Sequence, residues 1–153
     1  MSPEGARSPL RMALASDHAG FRYKAALAEW LKLQGLQVID FGTHSENPVD
    51  YPDFIRPAAE AVASGPCDLG VVIGGSGNGE AMAANRIKGI RCAVCWNTET
   101  ARLAKAHNDA NMIAMGQRLI SEPEAVAIVS TWLETKFEGG RHIRRIQKLD
   151  TWP

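Results

Sequence analysis

Residues 68–80 read DLGVVIGGSGNGE. The run LGVVI has the length of one β-strand and is apolar at consecutive positions, the pattern of a strand covered on both faces. It passes through a glycine-rich turn into GEAMAANRIKG, which has a helical pattern. A strand that turns directly into a helix opens a β-α unit, and the same alternation runs along the whole chain. The other strand-length runs are LRMALAS (10–16), QVIDFG (37–42), RCAVCW (91–96) and NMIAMG (111–116). Between and after them lie FRYKAALAEWLKLQG, with Gly35 as a stop signal, YPDFIRPAAEAVASG, TETARLAKAHN and EPEAVAIVSTWLETKF. Pro57 makes the second of these helices the least regular, and the tail EGGRHIRRIQKLDTWP adds one more short helix. Five β-α repeats require parallel strands, right-handed crossovers and helices on both faces. The expected fold is a three-layer α/β/α sandwich around a doubly wound, Rossmann-like five-stranded parallel sheet of order 2-1-3-4-5.

The chain of 153 residues is expected to form one domain over 10–153, behind a short flexible leader over 1–9. Seventeen basic and seventeen acidic residues cancel, so no global field favours nucleic acid or an anionic membrane surface. No apolar run approaches the ~20 residues of a membrane span, and the N-terminus lacks a secretory pattern. Three cysteines form no disulfide framework, which suits a reducing, cytoplasmic location. Cys92 and Cys95 have C-x-x-C spacing, but on a strand positions i and i+3 point to opposite faces. All three cysteines, Cys67 included, therefore read as buried packing residues. No His/Cys/carboxylate cluster has ligand spacing, so neither a metal nor another cofactor is expected.

In doubly wound sheets, ligands bind beyond the carboxyl ends of the strands, where the strand order reverses. Strand 1 runs into SDHAG (16–20) and strand 3 into GGSGNGE (74–80), so these two loops should face one another. The second is neither a dinucleotide fingerprint, which needs G-x-G-x-x-G, nor a P-loop, which needs a following Lys-Ser/Thr. Its free N–H groups at a helix start make an anion site, yet the stretch ends in a carboxylate. Like charges make that combination odd for a resident phosphate. It suits a transient anion such as the enediolate of an aldose–ketose isomerisation. That reaction needs a base near the proton and donors aimed at the developing oxyanion. Glu80 supplies a base; Ser76 and the N–H groups around Gly75, Gly77, Asn78 and Gly79 supply donors.

With SDHAGF, DYPDF, GGSGNGE, AANRIKGIR, HNDANMIAMGQR and EGGRHIRR in this order, the chain resembles the ribose-5-phosphate isomerase B family over about residues 11–150. That family also includes galactose-6-phosphate and allose-6-phosphate isomerases. The resemblance implies metal-free interconversion of ribose 5-phosphate and ribulose 5-phosphate. It also implies a homodimer, or a dimer of dimers, with active sites shared across the interface. The family's base is either a cysteine in the glycine loop or a glutamate at its end. Here Gly75 stands at the cysteine position, so the chain resembles the glutamate subtype, with Glu80 as base and Cys67 uninvolved. By the same resemblance Asp17 holds sugar hydroxyls, His18 lies near the phosphate and Tyr51 lines the substrate. His107 helps open the sugar ring, Asn108 binds hydroxyls, and Arg118, Arg141 and Arg145 grip the phosphate. The residues alone leave other readings open: Asp17 as a helix cap, His107-Asn108 as a helix C-terminus, the arginines as a solvated basic tail. The same chemistry on a four- or six-carbon sugar phosphate, or a non-catalytic sugar-phosphate or nucleotide sensor, are the alternative functions.

His107 follows a helix and precedes strand 5, so chain direction puts it at the amino edge of the sheet, opposite Glu80. A strand of five or six residues spans about 17–20 Å. The two residues can act on one substrate only if His107 comes from a partner chain.

Overall fold

The computed structural model describes residues 8–153; most of the expected leader lies outside them. Five parallel strands alternate with helices: β1 (Arg11–Ser16), α1 (Phe21–Leu33), β2 (Gln37–Asp40), α2 (Pro52–Ser64), β3 (Leu69–Gly74), α3 (Asn78–Asn85), β4 (Cys92–Val94), α4 (Thr98–Asn108), β5 (Met112–Gly116), α5 (Glu122–Glu134) and α6 (Arg141–Asp150). The α/β/α sandwich is as expected, and α2 continues through Pro57.

The strand order is β2-β1-β3-β5-β4, which corrects the expected 2-1-3-4-5. β3 pairs with β5 from Gly70↔Met112 to Gly74↔Gly116, and β4 pairs only with β5. Burial explains the exchange. All five residues of β5 are buried, whereas β4 is three residues long and only Cys92 in it is buried. The wholly apolar strand takes the central place and the short, partly exposed one the edge.

Alternate side chains serve two cores. Met12, Leu14, Val71, Ile73, Ile113 and Met115 face α1, α4 and α5 around the fully buried Trp132. Its indole N–H donates to the Ala110 carbonyl at 3.0 Å. Ala13, Ala15, Val72 and Ala114 face α2 and α3, and these small side chains let both helices lie close to the sheet. Cys92 belongs to the second core and Cys95 to the first, so the C-x-x-C pair straddles the sheet and shares no ligand. Burial pushes the Cys92 thiol well above the usual range and that of Cys95 up to about 12.

Local chemistry sets the helix ends. Asn97 and Thr100 form a reciprocal capping box at α4, and Ser121 accepts from the Glu124 N–H at α5. α3 stops four residues before the end of the expected 79–89 segment. The Asn85 side chain there bonds the Cys92 N–H and carbonyl at 2.7 and 2.9 Å, tying the helix end to β4.

One ion pair braces the side of the sheet that carries the 16–20 loop. Lys24 of α1 is 1% exposed, and its Nζ reaches both oxygens of Asp40 at 2.6 Å. Asp40 also accepts from the Gly42 N–H, which leads into a ladder between Gly42–Thr43 and Ser16. Removing the carboxylate leaves a buried ammonium unpaired. Asp40→Ala should cost on the order of 2–3 kcal/mol in urea unfolding, the partial exposure of Asp40 softening the full buried-pair penalty. Lys24→Met removes the buried charge as well and should cost less; the reverse ranking would show that this pair does not brace the edge.

Candidate active site

The loops after β1, β2, β3 and β5 meet at the carboxyl edge. They enclose a cavity of about 340 Å³ lined by Asp17, Tyr51, Gly75, Ser76, Gly79, Glu80, Arg118 and Leu119. The expected facing of SDHAG and GGSGNGE is therefore present.

Contacts within the chain account for much of the bare backbone of the 74–80 loop. A Cβ on Gly74 would collide with the Glu80 carboxylate, and one on Gly79 would lie 2.6 Å from the Tyr51 ring. Gly77 has φ +87°, and a Cβ there would press on the Met115 backbone. A Cβ on Gly75 would come within 3.0 Å of the Arg118 guanidinium. The loop folds flat over the end of β5, where Gly116 leaves room for the backbone of Ser76. Gly74 is thus a site residue absent from the sequence-based set; the signal for it was its place next to Gly75 at the strand end.

Glu80 lies in the first turn of α3 and is 3% exposed. Burial raises its pKa above the ordinary carboxylate value and the nearby Asp17 charge adds to this, while the backbone N–H groups of Glu80 and Gly77 pull it partly back. A carboxyl group tuned upward in this way is a better proton acceptor than an ordinary carboxylate and can return the proton it takes. Asp17 Oδ1 accepts from the N–H groups of Ala19 and Gly20 in the turn before α1. The N-cap of α1 is Gly20 with no side-chain cap bond, so Asp17 ties the turn rather than capping the helix, and it also lines the cavity. Ser76 Oγ accepts from the Asn78 N–H at 3.2 Å, which leaves the hydroxyl hydrogen free to donate.

Arg118 is anchored through its N–H to the Gly75 carbonyl, and Gln117 joins Gly74 to the start of α1 through bonds at 2.8 and 3.0 Å. None of Arg118, Arg141 and Arg145 pairs with a carboxylate among the described residues. His18 borders Asp17 but does not line the cavity; its Nδ1 accepts from the Val49 N–H at 3.1 Å, so the neutral ring carries its proton on Nε2. Leu119, 67% exposed, forms an apolar wall that sequence reasoning missed, because an exposed Leu after a strand carries no chemical signature.

His107, Asn108, Arg141 and Arg145 are not brought to this cavity. His107 and Asn108 end α4, and β5 begins after three intervening residues, which puts them at the amino edge. There the His107 ring stacks on His142 of α6 at 4.5 Å, while Arg141 and Arg145 stand exposed on α6. Burial, with Arg141 and His107 close by, lowers the pKa of His142. A larger hollow of about 670 Å³ near this edge is lined by residues 85–93, Asn108, Leu149 and Trp152. Its acidic group, Asp150, is paired with Arg91 at 3.0 Å, so it offers no available base.

The raised pKa of Glu80 has a stability counterpart. A carboxyl whose folded-state pKa is raised favours folding at low pH, and that contribution is lost as pH rises through the folded-state value. Glu80→Gln carries no charge at any pH. The variant should melt above the wild type at about pH 7.5, with the gap closing toward about pH 3, below the ordinary glutamate value. A gap independent of pH would show that burial does not disfavour the Glu80 charge.

Residues 12–149 match the ribose/galactose isomerase family. The chain is 46% identical over 144 residues to ribose-5-phosphate isomerase B of Mycobacterium leprae, covering 93% of this chain and 89% of that protein. The solved structure of Clostridium thermocellum ribose-5-phosphate isomerase B superposes with a TM-score of 0.91 at 49% identity, covering 92% of this chain and 95% of that one. The Mycoplasma genitalium ribose-5-phosphate isomerase B, solved with bound ribulose-5-phosphate, gives a TM-score of 0.90 at 38% identity, with 94% and 96% covered. With family-wide agreement over nearly its whole length and the same fold, the chain belongs to the ribose/galactose isomerase family.

Proposed function

We propose that the protein interconverts ribose 5-phosphate and ribulose 5-phosphate, with Glu80 carrying the proton between C2 and C1. The observation that carries this reading is the buried, upward-tuned Glu80 carboxylate in one cavity with Asp17, Ser76 and Arg118. A relative of the same fold holds ribulose-5-phosphate. Removal of the C2 proton by Glu80 leaves an enediolate; transfer of the O2 hydroxyl proton to O1 and return of the carbon-bound proton to C1 give the ketose. Ser76 and the loop N–H groups stabilise the developing oxyanion, where donors fixed in advance contribute most. Asp17 and Tyr51 hold the sugar, and Arg118, with Arg141 and Arg145, takes the phosphate as guanidinium forks. The proton moves between two carbons of one molecule, so the reaction calls for no oxidant and no metal.

The glutamate subtype fits the residues: Gly75 occupies the cysteine position, and burial raises the thiol of Cys67 above its usual value. Three buried free thiols fit a reducing cytoplasm. No helix of the described residues is long and apolar enough to cross a membrane.

Ring opening by His107, with Asn108 on the hydroxyls, requires a second chain, because His107 ends α4 at the edge opposite Glu80. We therefore read the enzyme as a homodimer, or a dimer of dimers, with each site built from two chains.

Glu80→Gln should lower kcat on the order of 10²-fold or more with little change in KM. Turnover should be highest on the five-carbon substrate in a panel of four-, five- and six-carbon aldose phosphates. Near-normal kcat would remove Glu80 from the mechanism, and a four- or six-carbon preference would reassign the sugar. Mixing Glu80→Gln chains with His107→Ala chains should restore activity well above either parent, since sharing gives one site with both lesions and one with neither. Parental activity after confirmed subunit exchange would mean that each chain builds its own site.

A further inference from the structure

Three side chains outside the cavity converge where α6 meets α4. The Glu138 N–H donates to the Ala106 carbonyl at 3.0 Å, pinning this segment beside the last turn of α4. Gly139 and Gly140, with φ of 69° and 60°, then turn the chain into α6. His142 consequently returns beneath the same carboxylate. Glu138 Oε2 lies 3.6 Å from His107 Nε2, and Oε1 lies 3.8 Å from His142 Nε2. One ligand atom from each residue falls within 4.8 Å of the other two. Glu138 and His142 are four residues apart, but His107 lies 31 and 35 residues before them, so the sequence does not announce the group as a set. His142 is 5% exposed, and its Nε2 is buried without a hydrogen-bond partner among the described residues. A polar atom in that position carries a desolvation cost that an incoming ligand would relieve.

We propose that His107, Glu138 and His142 bind a divalent first-row transition-metal ion such as Zn²⁺, with water in the fourth position. Two imidazoles and one carboxylate suit such ions and not Mg²⁺ or Ca²⁺, which prefer oxygen shells. With bonds of about 2.0–2.2 Å in a tetrahedron, ligand atoms stand about 3.3–3.6 Å apart. The two imidazole–carboxylate separations already approach this spacing, and the two rings, stacked 4.5 Å apart, must tilt out of their stack so that both lone pairs meet at the ion. His107 is 36% and Glu138 47% exposed, so both have room to move and the ion has an entry path. The Arg141 and Arg145 charges oppose a cation here, and the Glu138 carboxylate offsets them.

The consequence for activity rests on the ring-opening role proposed for His107. An ion that takes the imidazole lone pair removes that group from catalysis. The site is inhibitory, which agrees with a reaction that needs no metal.

The test titrates the full chain with ZnCl₂ by calorimetry in chelator-free buffer, and with CoCl₂ by visible absorption. His142→Ala and Glu138→Gln are run alongside. The wild type should bind one Zn²⁺ per chain and show the visible bands of tetrahedral Co²⁺. Each variant should lose at least about tenfold in Zn²⁺ affinity, the lower bound seen even for outer-shell changes, and should lose the Co²⁺ bands. Glu138 is half exposed, so its variant keeps the test decisive if His142→Ala fails to fold. Zn²⁺ affinity unchanged in Glu138→Gln, as binding through the cysteines would give, overturns the site. In turnover assays, Zn²⁺ should inhibit the wild type, EDTA should restore it, and both variants should resist. Zn²⁺ that binds with the expected variant pattern yet leaves wild-type turnover intact would overturn the role of His107 and leave the ion site standing.

Discussion

The turn between β3 and α3 lies flat across the end of β5, and it does so because Gly116 presents no side chain to the backbone of Ser76. Much of the site follows from this contact. It requires β5 beside β3, which moves β4 to the edge. It sends the chain after β5 back along the turn, where Gln117 and Arg118 bond the carbonyls of Gly74 and Gly75. It also starts α3 at an angle that folds Glu80 over Gly74. An alanine at either glycine would set a methyl group against backbone or carboxylate with no space to yield.

Seen this way, the glycine-rich loop is a packing solution as much as a binding device. Its bare positions accept a carboxylate, a tyrosine ring, a guanidinium and a neighbouring strand, and so hold those groups in place around the cavity. Preorganised groups of this kind stabilise developing charge without rearranging during the reaction. Burying the Glu80 carboxyl beside Asp17 sets the folded state against its charge. The same placement raises its proton affinity, so a stability penalty and a usable acid–base group come from one arrangement.

The two edges of the sheet carry complementary halves. The carboxyl edge holds the buried Glu80 carboxyl with Asp17, Ser76 and Arg118. The amino edge holds a histidine pair and two exposed arginines on α6. The sheet keeps the halves apart within a chain, which makes association part of the proposed chemistry and not merely a contribution to stability. It also leaves the His107–Glu138–His142 group at the edge opposite Glu80.

Short-range patterns determined much of this protein. Runs of strand length marked all five strands, and several, such as LGVVI, are apolar at consecutive positions, because buried parallel strands need side chains that tolerate both faces. The helices were legible from periodicity and from stops such as Gly35. The facing of SDHAG and GGSGNGE followed from chain direction alone, since parallel strands deliver their loops to one edge. The opposite faces of Cys92 and Cys95, and the opposite edges of Glu80 and His107, were legible for the same reason. Tertiary structure decided what depends on contacts between distant segments. The exchange of β4 and β5 rests on relative burial and on Gly116 meeting Ser76, neither of which has a local signature. Gly74 and Leu119 joined the site through neighbours remote in sequence or visible only in the fold. Glu138 and His142 met His107 only because a backbone bond to Ala106 and two left-handed glycines bring α6 against α4. Periodicity is a property of neighbours along a chain, whereas a site is a property of neighbours in space.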